Sequence, residues 1–155
     1  MSFQITALEP DRFEPLFALS NEQLTEHLAV RVTATSKPGF PCRVSLADAE
    51  VGEELLLVNH QHQTVATPYR ATHAVYVRKG ARRAQPAVDE VPAQLRTRTL
   101  SLRTFDASGM LVTADLTEGA ELELALARQF ADPAAAYVHI HFAGPGCYAA
   151  RADRA

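Results

Sequence analysis

The residues best suited to chemistry in this chain are two cysteines, six histidines and a few arginines placed beside turn punctuation. Cys42 lies between Pro41 and Arg43, and a neighbouring guanidinium favours the thiolate, which is the nucleophilic form of cysteine. Cys147 follows Gly144-Pro145-Gly146, a run that turns the backbone sharply and brings the thiol to a strand end. His139 and His141 alternate with Val138, Ile140 and Phe142. On a strand, both imidazoles then project from one face, roughly 7 Å apart along the chain, as near-neutral acid/base groups. A dyad of Cys147 with His139, His141 or His73 would suit nucleophilic catalysis. Arg43, Tyr69, Arg70 and His73 complete the set, because guanidinium forks and neighbouring donors suit a carboxylate or phosphate. The expected catalytic residues are therefore His139, His141, Cys147 and Cys42, with Arg43, Tyr69, Arg70 and His73 binding an anionic ligand.

Each group also has an ordinary structural reading. The paired histidines can form a polar outer sheet face with Tyr137. Cys42 can be a small buried thiol whose neighbour Arg43 pairs with Asp48 or Glu50. The arginines can make surface ion pairs that contribute little.

The elements that must hold these residues follow from periodicity and punctuation. Phe3, Ile5 and Leu8 predict a first strand ending near Pro10, and Pro10 to Leu19 reads as a helical turn or ordered loop. Ser20 with Gln23 forms a capping box for a helix from about Asn21 to Leu28. Val30, Val32 and the following threonines favour a strand. Pro38 and Pro41 force a turn, after which Ser45 is positioned to cap one short turn over Leu46 to Glu50. Leu55 to Val58 reads as a strand covered on both faces, with His60-Gln61-His62 leaving it for a polar loop that ends at Thr67-Pro68-Tyr69-Arg70. His73 to Arg78 is the next strand, and Gly80 to Pro92 a surface loop.

Farther on, Arg96 to Phe105 alternates as a half-buried strand and turns through Asp106 to Gly109 into Met110 to Ala114, a hairpin. Thr117 stands where it would cap a helix carrying Leu122, Ala125, Leu126 and Phe130 at helical spacing. Tyr137 to Phe142 is the last clear strand, followed by the Gly-Pro-Gly turn and a polar tail. These elements predict one α+β domain over residues 1–155, with a mainly antiparallel sheet and two principal helices.

Composition narrows the function classes. A hydrophobic content of 47% over 155 residues supplies a real core. The net charge of −3 gives no whole-chain attraction to nucleic acid or anionic membrane. The basic stretch from Arg78 to Arg103 lacks aromatic interleaving, so a solvated face is the default over a nucleic-acid patch. No apolar run approaches the ~20 residues of a membrane span. The N-terminus shows no secretion signal, which makes a cytoplasmic chain with reduced thiols the expectation. His60 and His62 form a second His-x-His pair and invite a metal reading. The cupin-type pattern, however, wants a glutamate a few residues later, and Gln63 to Thr67 has none. No metal ligand set is assigned, and no particular cofactor is indicated.

As a set, Pro41-Cys42-Arg43-Val44-Ser45-Leu46, Asp48-Ala49-Glu50, Gly52-Glu53, Pro68-Tyr69-Arg70, Val75-Tyr76-Val77-Arg78 and Gly146-Cys147 resemble one uncharacterised bacterial family, the domain of unknown function numbered 1203. The resemblance implies a stand-alone bacterial protein and carries no activity, cofactor or catalytic residue. The functional expectation therefore rests on the residues: a small cytoplasmic protein that binds an anionic small molecule in a Cys/His/Arg-lined pocket, with catalysis open. Two alternatives stand beside it, a non-catalytic homodimeric or partner-binding module and a His-x-His metal-binding protein.

Overall fold

Alternating apolar residues and short turns build two antiparallel sheets in the computed structural model, which describes residues 1–155. The strands are β1 (Phe3–Thr6), β2 (Ala29–Thr33), β3 (Glu54–Gln63), β4 (Ala71–Arg78), β5 (Thr99–Phe105), β6 (Leu111–Glu118), β7 (Tyr137–Phe142) and β8 (Tyr148–Arg154). The helices are α1 (Asn21–Glu26), α2 (Ala93–Arg96) and α3 (Leu122–Ala131). The larger sheet runs β1-β8-β7-β5-β6, and the smaller runs β2-β3-β4. The fold class is α+β, as the element pattern predicts. None of its helices is long and apolar enough to cross a membrane.

On the larger sheet, β7 is central. Val138, Ile140 and Phe142 are aligned with Thr104, Leu102 and Leu100 of β5, and α3 covers this side with Leu122, Ala125, Leu126 and Phe130. Burying each such side chain contributes roughly 1.5–3 kcal/mol, so this cluster dominates the core. The opposite face carries Tyr137, His139 and His141, aligned with Phe105, Arg103 and Ser101. That face is closed by the smaller sheet, and every residue of β7 is buried. The bland expectation of a solvated histidine face therefore fails, because a second sheet lies over it.

Four local expectations are corrected. His60 and His62 lie within β3, which runs on to Gln63 and pairs His60 with His73. Thr117 lies in β6, and the helix begins after Glu121 with no side-chain cap. Ser45 caps no turn, and its hydroxyl is buried without a partner. The chain past Gly146 is also a strand: β8 is held between β1 and β7. The capping box at α1 is present as predicted, with Ser20 Oγ accepting from Gln23 N and Gln23 Oε1 accepting from Ser20 N.

Candidate functional site

The loop from Gly39 to Ala49 is anchored at its centre. The Arg43 backbone N–H donates to Tyr76 O of β4, and the Arg43 carbonyl accepts from Leu8 N, both at 3.0 Å. With its backbone fixed on both sides, Arg43 sends its side chain inward, where it is 1% exposed. Its Nε donates to Tyr148 O at 2.8 Å, one Nη to Pro41 O at 2.5 Å, and the other Nη to Cys147 Sγ at 2.9 Å. The guanidinium also lies over the Phe142 ring, 4.9 Å from its centroid.

No carboxylate pairs with this buried cation. Asp48 is instead taken by Arg98 through contacts of 2.6 and 3.1 Å, and Glu50 pairs with Lys37. Burial pushes the Arg43 guanidinium below its ordinary value, and the two cysteines, Cys147 first, act in the opposite direction. A buried charge needs a counter-charge or a full set of hydrogen bonds. Here the group able to supply the charge is a thiol.

Arg43 and Cys147 line a cleft of about 570 Å³ together with His73, Tyr76, Arg98 and Phe142. Arg98 lies 5.0 Å from the Phe142 centroid, so that ring is flanked by two guanidinia. None of the lining residues is acidic. The turn from β7 to β8 forms one wall. Gly146 there has φ +77°, in the left-handed region that glycine occupies without a side-chain penalty. Its N–H donates to Phe142 O, and Phe142 N donates to Cys147 O, each at 2.9 Å.

The histidines form a second constellation on the face of β7 that the smaller sheet covers. Rings of His62 and His141 are 5.0 Å apart, His62 and His139 6.0 Å, and His139 and His141 6.4 Å. Tyr148 lies among them, stacked on His62 and edge-on to His139 and His141. Burial, first of all causes, lowers His139 and His141 to about 3 and His60 and His62 to about 4. All four are neutral imidazoles near pH 7. A smaller cavity of about 250 Å³ opens here, lined by His62, His139, His141, Tyr69, Arg103 and Phe105 among others. No group of three or more His, Cys, Asp or Glu side chains is arranged to hold a metal ion.

The residues singled out from the sequence are thus divided. Arg43, His73 and Cys147 share the large cleft, and Tyr69, His139 and His141 share the small one. Cys42 lines neither. It is fully buried, and its sulfur accepts from Ser45 N and Arg78 N at 3.4 and 3.3 Å. Arg70 also lines neither, and its exposed side chain donates to Thr64 O at 3.1 Å. Arg98, Arg103, Phe142 and Tyr148 entered without having been singled out as site residues. Arg103 left a trace in the sequence by alternating with Leu102 on the polar side of its strand, Phe142 by alternating with the histidines, and Arg98 as one cation of the basic stretch.

The basic stretch has its own explanation. Of its seven cations, Arg78, Lys79, Arg83, Arg96 and Arg98 each pair with a carboxylate, which leaves Arg82 on the surface and Arg103 in the small cavity.

No curated protein and no solved structure matches the chain. The match that does exist spans every lining residue of both cavities, from Gly39 to Cys147. Over residues 39–154 the chain fits the model of one family, and it belongs to that family, described as Protein of unknown function (DUF1203).

Proposed function

We propose that this protein binds an anionic small molecule in the cleft between the two sheets and presents Cys147, held by the buried Arg43 guanidinium, to it as a nucleophile. One observation carries the reading: Arg43 is buried, has no carboxylate, and donates to Cys147 Sγ at the cleft wall. A guanidinium N–H donated to an anion is among the stronger hydrogen bonds in proteins, and a thiolate is the nucleophilic form of cysteine. The acid-free lining, with Arg43 at its wall unpaired by any carboxylate, favours negative charge in the ligand. Both cysteines are free, which suits a reducing, cytoplasmic setting.

The reading is tested by labelling the native protein with iodoacetate and, separately, iodoacetamide, then mapping the modified peptides. Cys147 should react while Cys42 is spared. The anionic reagent should also gain relative to the neutral one, by roughly tenfold over their ratio on free cysteine, as expected for a cationic cleft. Equal labelling of both cysteines, or a ratio matching free cysteine, refutes it.

A second reading, a homodimer without catalytic chemistry, draws on the open edge of the larger sheet. There β6 has a partner on one side only, and Leu116 is 65% exposed; an edge strand is a ready template for pairing with a second copy. Light scattering that finds only monomer removes this reading.

A further inference from the structure

The small cavity holds a charge and several polar atoms that the protein does not satisfy. The partly exposed Arg103 side chain forms no ion pair or hydrogen bond with another residue, and burial is the one cause that perturbs it. It stands directly opposite His139 across the β5–β7 ladder, so the two side chains leave the sheet on the same face, with Cβ atoms about 5 Å apart. Phe105, Tyr69, Leu111 and Ala114 supply apolar walls.

His141 defines what else is wanted. It is fully buried, and its Nδ1 lies 3.0 Å from the carbonyl of Gly146. A carbonyl can only accept, so Nδ1 carries the proton and the neutral ring keeps its lone pair on Nε2. That Nε2 is buried and has no partner. His139, 3% exposed, and His62 each have a buried Nδ1 without a partner as well. Buried polar atoms in a native protein are nearly always bonded, and three of the five without a partner belong to His62, His139 and His141, which line one cavity. Arg103 asks for an anion, whereas His141 Nε2 asks for a hydrogen-bond donor. A bare anion meets the first need only, and a metal ion would meet the second against the charge of Arg103.

We propose that this cavity is a binding site, separate from the Cys147 cleft, for a small hydroxy-carboxylic acid with an apolar side chain. Its carboxylate pairs with Arg103 and its hydroxyl donates to His141 Nε2. Neutral His62 and His139 each carry one N–H and one lone pair, and serve the remaining carboxylate oxygen or the hydroxyl oxygen. Phe105 and Tyr69 pack on the apolar part.

Mandelate and phenylacetate separate these requirements, because they differ only by the hydroxyl. Calorimetric titration of the wild-type protein should show saturable mandelate binding and at least tenfold weaker phenylacetate binding, since a site built around a hydroxyl rejects the analogue that lacks it. Lactate, which lacks the ring, should bind more weakly than mandelate. Arg103→Gln should lose mandelate binding while keeping the wild-type circular dichroism spectrum, and Arg103→Lys should retain part of it. Cys147→Ser should leave mandelate affinity unchanged, which separates this site from the cleft. Equal affinity for mandelate and phenylacetate, undiminished binding to Arg103→Gln, or no saturable binding of any of the three acids overturns the proposal. So does stoichiometric zinc bound by the untagged protein and displaced by no acid.

Discussion

Acidification below neutral pH should weaken the folded state through the buried histidines, with a magnitude that follows from their environment. In the unfolded chain a histidine takes up its proton around pH 6.5. In the folded protein burial lowers His139 and His141 to about 3, with neighbouring imidazoles and the Arg103 guanidinium acting in the same direction. Between those values the unfolded state binds more protons than the native state. The stability contributed by the neutral rings is therefore complete above about pH 6.5 and is lost as the pH falls toward 3. At about pH 5 each ring costs about 2 kcal/mol, so the pair removes ~4 kcal/mol of a typical 5–15 kcal/mol. His60 and His62, lowered to about 4 mainly by burial, add in the same direction. Most carboxylates stay ionised above pH 5, which leaves this window to histidine. Urea unfolding at several pH values between about 7.5 and 5 should show the decline in the wild-type protein. The His139→Gln/His141→Gln variant should show a flatter profile. A wild-type stability that is level across the window, or a variant with the same slope, would refute the assignment of these rings as buried and neutral.

Three further outcomes test how the site is positioned. Ser20→Ala removes one half of the α1 capping box and should cost about 1 kcal/mol in urea unfolding, with cysteine labelling unchanged. Gly119→Ala should be far more damaging, because the new Cβ would lie 1.8 Å from the Leu95 carbonyl oxygen. A loss of several degrees in melting temperature is the minimum expected from backbone that must shift. Arg98→Ala strips Asp48 of its bidentate partner and uncovers the Phe142 ring. With both ion-pair side chains under a fifth exposed, the loss should be roughly 1–3 kcal/mol, and the iodoacetate preference at Cys147 should fall.

Much of the scaffold was legible because local signals agreed with the fold. The Ser20–Gln23 box, the helical spacing of Leu122, Leu126 and Phe130, the turn at Gly109 and the alternation of β7 all mark their elements directly. What stayed hidden depends on partners distant in the chain. Tyr148 to Arg154 is rich in alanine and charge, with weak strand propensity, and it becomes β8 through pairing with β1 and β7. His60 and His62 read as loop residues because they are polar, yet the opposing sheet gives their strand an aromatic and histidine layer to face. Arg43 has acids a few residues away, and its side chain reaches past them to a thiol that lies 104 positions along the chain. Local charge counting cannot find that contact, and it also joins as one pocket residues that the fold divides between two cavities.

The central claim concerns the Arg43–Cys147 contact, and the rate of Cys147 alkylation at a fixed neutral pH tests it most directly. Cys42→Ala would serve as the background, so that one thiol reports. If the buried guanidinium activates Cys147 through this contact, iodoacetamide should modify it about tenfold faster than it modifies the Arg43→Met variant, checked for retained fold by circular dichroism. Arg43→Lys should fall between the two. A wild-type rate no faster than the Arg43→Met rate would contradict the account.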